Sequence, residues 1–179
     1  MDKHIHKYNY GSSSPLPENI KTVNKNIIRK LYLYDNFYED TNQIITLFKK
    51  DNNNCKNTRI NEFKHIYEHI LNKPIQYLQS NIIKLTDDYI INTGDFSWVA
   101  VVFLNSNIPI SNGLAFMQEN VNSNNKKYPG TGSEPDSNSL IIEDFFYGKS
   151  NRIIIFNSKY YHKLIVKTPI IIEIIHIQI

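Results

Sequence analysis

Histidines placed four residues apart on a helix project from one face and can share a zinc ion, while a neighbouring glutamate can activate a zinc-bound water. His65-Ile66-Tyr67-Glu68-His69 has that spacing. Ile60, Phe63, Ile66, Tyr67 and Ile70 form an apolar stripe on the same segment. The three polar residues therefore fall on the opposite side, where solvated charges belong without any metal. His4 and His6 make a His-x-His pair with no further ligand nearby in sequence, and the expectation is a solvated tail. Cys55 is the single cysteine, so the chain can build neither an internal disulfide nor a cysteine-based zinc site, and a reducing compartment fits it. The formal net charge of +3 is small, and the lysines are scattered rather than gathered on one face, so nucleic acid is not the expected partner.

The elements that would position any site follow from the apolar pattern. A length of 179 residues, 41% hydrophobic and 21% charged, suits one globular domain with its own core. Residues 1–25, with Gly11, Pro15 and Pro17 among serines, lack apolar periodicity and are expected to be a disordered N-terminal arm; the domain proper spans 26–179. The pattern predicts a strand at 27–34, a helix over 39–49 with Ile44, Ile45 and Phe48 on one side, a loop at 51–54 and a second amphipathic helix over 61–71. From Pro74 the character becomes β, with strands expected at 75–78, 82–85, 88–92, 98–104 and 114–118. A mobile insertion follows at about 120–138, rich in Asn, Gly and Pro. Further strands are expected at 140–142, 152–156, 160–166 and 170–179. Two helices followed by many short strands predict an α+β fold, a β-sandwich or barrel with the helices on one side.

In the last strand Ile171, Glu173, Ile175, Ile177 and Ile179 share one face, and Ile170, Ile172, Ile174, His176 and Gln178 share the other. If the odd face looks inward, Glu173 is an acid among isoleucines and needs a cationic or hydrogen-bonding partner, or a raised pKa. At a barrel mouth or a sheet edge it needs neither. Trp98 and Phe103 are expected in the core. Nothing in the sequence resembles a signal peptide or a bilayer-spanning stretch, so no membrane association is expected and the cytoplasm is the expected location. The heavy use of Ile, Asn, Lys and Tyr, with only two alanines, points to an AT-rich genome.

Leu31-Tyr-Leu-Tyr-Asp-Asn-Phe-Tyr38, the two helices, Trp98-Val-Ala-Val-Val-Phe-Leu-Asn105, Ile108-Pro109, Asn112-Gly113, Phe116 and the block from Asn151 through Phe156 to His162 occur in an order with a known parallel. The chain resembles the iron(II)- and 2-oxoglutarate-dependent oxygenases, and within them the small prolyl-hydroxylase-like group of bacteria, phages and large DNA viruses. The resemblance covers about residues 31–179 and rests on the order of short blocks. It implies a double-stranded β-helix, a cupin-like jelly roll, with iron held at one open end by a His-x-Asp pair and a distant histidine. A cation deeper in the barrel pairs with the far carboxylate of the cosubstrate.

The resemblance puts His162 at the distant-histidine position and an ungapped register puts Ile91 and Thr93 at the pair. Isoleucine has no lone pair to offer, and a threonine hydroxyl is a poor ligand for iron(II). Asp95 is the nearest carboxylate but lacks a histidine two residues before it. Lys167 is the candidate cosubstrate cation, with Glu173 repelling a dicarboxylate if it faces the same pocket. These positions imply a degenerate metal site in a non-catalytic protein with a binding or structural, assembly role. No cofactor is then expected, and the expected partner is a protein, through self-association or a viral or host protein, with a small molecule in the barrel as a further option. The alternative is an active iron(II)/2-oxoglutarate dioxygenase with a non-standard site, built on His162, Asp95 and a donor such as His176. Composition and resemblance together suggest a large DNA virus, hence host cytoplasm or virion.

Overall fold

A computed structural model describes residues 31–50, 54–119 and 140–179. The arm at 1–25, with His4 and His6, the first half of the strand expected at 27–34, and the insertion at about 120–138 lie outside the described residues. The elements run β1 (Leu31–Tyr34), α1 (Thr41–Lys50), β2 (Asn54–Lys56), a 3-10 turn (Ile60–Phe63), α2 (Lys64–Leu71), β3 (Tyr77–Leu85), β4 (Trp98–Phe103), β5 (Gly113–Glu119), β6 (Leu140–Tyr147), β7 (Ile153–Asn157), β8 (His162–Ile165) and β9 (Ile170–Gln178). Among the described residues all pairings are antiparallel, in a six-stranded sheet ordered β1-β7-β4-β9-β3-β2 and a three-stranded sheet ordered β6-β5-β8. A single bridge, Tyr89 to Leu164, extends the smaller sheet beside β8.

Strand alternation divides the central β4, β7 and β9 between two cores. Val99, Val101, Phe103, Ile154, Phe156, Ile170, Ile172 and Ile174 point between the sheets and meet Leu114, Phe116 and Leu164 of the smaller one. Ala100, Val102, Ile153, Ile155, Ile175 and Ile177 point the other way and are covered by Ile44 and Phe48 of α1 and Tyr67 and Leu71 of α2. Because both faces are buried, these strands read as continuous apolar runs rather than as alternating ones. Trp98 belongs to the outer core, against Tyr32, and Phe103 to the inner one. The helices lie on one side of a β-sandwich of jelly-roll type, as expected.

Several expected boundaries move. The strands expected at 75–78 and 82–85 are one nine-residue strand, β3, paired along its length with β9. The stretch expected as a strand at 88–92 contributes only the Tyr89 bridge, and the loop expected at 51–54 ends in a short strand, β2, on β3. The strand expected at 140–142 continues to Tyr147, past an irregularity in the β5–β6 ladder between Phe116 and Met117. The second helix begins as a 3-10 turn and ends at Asn72, which takes the left-handed conformation.

Candidate functional site

One end of the space between the sheets carries two buried histidines. His162 opens β8 opposite Phe116 of β5, and its ring lies edge-on to Phe156, centroids 4.7 Å apart. His176 lies on the inner face of β9, paired with Val99 of β4, its ring 4.9 Å from that of Phe96. The two are only 6% and 9% exposed. Each uses one ring nitrogen on a backbone carbonyl: His162 Nδ1 to Tyr160 O at 2.6 Å, and His176 Nε2 to Asn92 O at 2.8 Å. A carbonyl only accepts, so both of those nitrogens carry the proton. The other nitrogens, Nε2 of His162 and Nδ1 of His176, are buried with no hydrogen-bond partner. Burial pushes the His162 pKa down and the nearby His176 adds to this, against the Tyr160 and Ile91 carbonyls, which favour the protonated ring.

Ile91, 3% exposed, packs into the inner core. The Tyr89–Leu164 bridge puts it level with His162, two residues further along each strand. Thr93 is half-buried, and its carbonyl accepts from Phe96 N at 3.2 Å. Asp95 is exposed, just past Gly94, whose φ of +49° and hydrogen bond to Asn92 Oδ1 at 3.1 Å form a tight turn. Lys167 is exposed, its Nζ 3.8 Å from Asp88, which also pairs with Lys163 at 3.0 Å. Inward positions of β9 before His176 are Ile170, Ile172 and Ile174, none cationic. His65 and His69 are exposed on α2, and Glu68 accepts from Ile75 N at 3.0 Å, closing the turn after the helix. Among the described residues, no three His, Cys, Asp or Glu side chains are grouped to hold a metal ion.

Glu173 lies on the opposite face of β9, fully buried beneath the helices, in the middle of the sheet rather than at a mouth or edge. It does not face the barrel interior, so it cannot repel a ligand there. Its carboxylate accepts from Tyr38 Oη at 2.6 Å, from Asn57 Nδ2 at 2.8 Å and from Ser80 Oγ. Burial raises its pKa although those three donors pull it down. These partners were not anticipated from sequence, because they come from three other segments far along the chain. The one local signal was Ser80, a buried polar residue interrupting the apolar pattern of β3.

No protein-family model matches this sequence, and no curated protein does. Solved structures do match. An oxidoreductase of the 2OG-Fe(II) oxygenase family from Burkholderia pseudomallei superposes with a TM-score of 0.55 at 7% identity, over 83% of this chain and 84% of that one. The chain has the fold of the 2OG-Fe(II) oxygenases. HygX from Streptomyces hygroscopicus, solved with nickel and 2-oxoglutarate, gives 0.55 at 10% identity over 83% and 81% of the two chains. A Trichoplax adhaerens prolyl hydroxylase, solved with a peptide fragment of hypoxia inducible factor, gives 0.52 at 10% over 83% of each. In this oxygenase fold the histidine pair lies at one end of the barrel and the Glu173 cluster outside it. Among the described residues no helix is long and apolar enough to cross a membrane.

Proposed function

We propose that this chain is a non-catalytic protein of the oxygenase fold, with a binding or assembly role. The observation that carries this reading is Ile91. At the level of His162, where the resemblance asks for the first member of a His-x-Asp pair, an apolar side chain is packed into the inner core. Thr93 follows it, and the inner face of β9 supplies isoleucines where a dicarboxylate needs a cation. Iron(II) bound through one histidine and no carboxylate lacks the facial set that leaves positions for 2-oxoglutarate and dioxygen. The side chains present therefore do not fit that pair of groups, and no oxidative step is assigned to them.

An assembly role is supported by β6, an edge strand among the described residues, which exposes Ile141, Ile142, Phe145 and Tyr147. Edge strands with exposed apolar side chains are surfaces on which another chain can pair. A protein partner fits this better than nucleic acid, and the composition agrees with a large DNA virus, in host cytoplasm or virion.

The second reading, an active dioxygenase with a non-standard site, draws on the unpartnered nitrogens of His162 and His176. Asp95, exposed in its turn, is the carboxylate it needs. Turnover of 2-oxoglutarate to succinate, measured with iron(II), ascorbate and oxygen, separates the two. The expected result is no succinate above a protein-free control. Succinate formation that is lost in His162→Ala overturns the non-catalytic reading.

A further inference from the structure

We propose that the outer face of the smaller sheet is a self-association surface, on which a second copy of this chain docks face to face. The proposal deepens the assembly role above by naming the surface and its partner, and it rests on that reading.

Directly paired residues of neighbouring strands point to the same side of a sheet. Leu114, Phe116 and Leu164 face the inner core, so Ala115 and its partners Phe145 and Lys163 face outward. Tyr147 and Ile165 flank Gly113 on the same side, and Ile142 follows past the ladder irregularity. The Tyr89–Leu164 bridge adds Ile90 beside Lys163. Outward positions of an antiparallel sheet that meets water are normally polar. Here Ile90, Ile142, Tyr147 and Phe145 are 57%, 54%, 48% and 41% exposed, a pattern that belongs to a covered face. The outer face of the larger sheet lies under α1 and α2, and neither helix packs on the smaller one.

The shape of the face suits another sheet. Gly113 carries no side chain, and the Phe145 ring lies across it, 2.7 Å from where a Cβ would stand. The bulk of β6 thus folds down over β5 and levels the apolar surface, as aligned packing of one sheet on another requires.

Charge selects the partner and its orientation. The β6 border carries exposed Glu143, the extra residue at the ladder irregularity. The opposite border carries Lys163 and Lys167 around the single carboxylate of Asp88. A two-fold axis parallel to β5 exchanges the borders. It brings Lys163 of one copy over Phe145 of the other, at the level both share with Ala115, and next to the Glu143 border. Pairing β6 edge to edge with its own copy, centred on the strand, would instead set Glu143 against Asp144.

Sedimentation velocity on the full chain is the test. At about 100 µM the protein should run as a dimer, with twice the 21.0 kDa of one chain. Ile142→Asp and Ile90→Asp should each weaken the dimer by about 100-fold or more, whereas Tyr77→Ser, as exposed as Ile142 but on the larger sheet, should leave it unchanged. Lys163→Glu and Glu143→Lys should each weaken it by about tenfold or more. An equimolar mixture of those two variants should associate as the wild type does, because every facing pair in the mixed dimer is again of opposite sign. A monomer at the same concentration, whose face is then kept for another protein or another part of this chain, overturns the proposal. So does a dimer indifferent to Ile142→Asp and Ile90→Asp, or a mixture of the two charge variants, each folded by circular dichroism, that fails to associate. Dimerisation with succinate formation overturns only the non-catalytic reading, and a monomer that forms no succinate overturns only the self-association.

Discussion

The Tyr38 hydroxyl donates to Glu173 Oε2 at 2.6 Å, joining the segment between β1 and α1 to the middle of β9. Asn57 and Ser80 reach the same carboxylate from beyond β2 and from β3. One buried acid thus gathers four stretches of chain beneath the helices.

Burial holds the Glu173 pKa above its usual value of 4.5. A group whose folded pKa is raised favours the folded state fully below its unfolded pKa and loses that contribution as pH rises through the folded one. Glu173→Gln removes the titration. Its carbonyl can accept from Asn57 and Ser80 while its amide donates to Tyr38, whose proton is then free to turn to the neighbouring Tyr67 hydroxyl. Urea unfolding across pH should show the wild type losing stability relative to Glu173→Gln above pH 4.5; parallel curves would count against the assignment. Glu173→Ala should instead cost about 3 kcal/mol or more, because three buried donors lose their acceptor.

Asp35 pairs with Arg152 through two contacts of 2.7 and 3.1 Å, and Arg152 also lies 4.7 Å from the Tyr147 ring centroid. The hydrogen bond from Arg152 lowers the Asp35 pKa against the opposing effect of burial, with Lys149 assisting. The stability this contributes is present above the unfolded value of 3.8 and is lost as pH falls through the folded one. Asp35→Asn should cost about 1–2 kcal/mol near neutrality, a figure discounted for the partial exposure of Asp35, and the difference should vanish in acid. A thermal unfolding series from pH 2 to 7 checks it, and a cost independent of pH would rule out the ion pair as its source.

Ile91→His combined with Thr93→Asp should create, beside His162, the His-x-Asp pair that the resemblance asks for. Iron(II) affinity is expected to rise at least about tenfold over the wild type. Equilibrium dialysis with iron(II) measures it. An unchanged affinity in a folded double variant would mean that the register placing Ile91 and Thr93 at the metal positions is wrong.

A Cβ added at Gly113 would run into the Phe146 carbonyl oxygen and lie 2.9 Å from Tyr147 Cα, both backbone of the paired strand β6. Gly113→Ala should destabilise by about 2–3 kcal/mol. Gly94→Ala meets open space but a φ of +49°, and should cost only about 1 kcal/mol. Denaturant midpoints for the two variants test the ranking, and an equal loss would contradict it.

The order of most elements was legible in the sequence; the two-sided burial of β4, β7 and β9 was not, since the face of the last strand that looks inward stayed open until the helices were seen to cover the other one. What else stayed hidden has a common cause in polar residues that serve distant partners. Ser80 broke the apolar run of β3 into two apparent strands, yet it faces Glu173. Glu143 and Asp144 masked the second half of β6 near its ladder irregularity. Asp35 and Arg152 each belonged to a block that carries the family resemblance, with nothing to join them until the fold brought them together. At the candidate site, the alternative dioxygenase reading already grouped His162 with His176, but with Asp95, which the fold leaves exposed in a turn. That the two histidines share one barrel end follows only from the pairing of β8 with β5 and of β9 with β4.

The isoleucine-rich sequence of β9 has a consequence for how the chain finds its alignment. Both faces of the strand are apolar, so the hydrophobic effect alone scarcely distinguishes the native pairing from one displaced by a single residue, which would exchange the faces. Glu173 and His176, three residues apart and therefore on opposite sides, break that degeneracy. A one-residue slip would carry the acid away from Tyr38, Asn57 and Ser80 and the imidazole away from Asn92. The polar pair thus works as a key that only one alignment of an otherwise repetitive strand can turn.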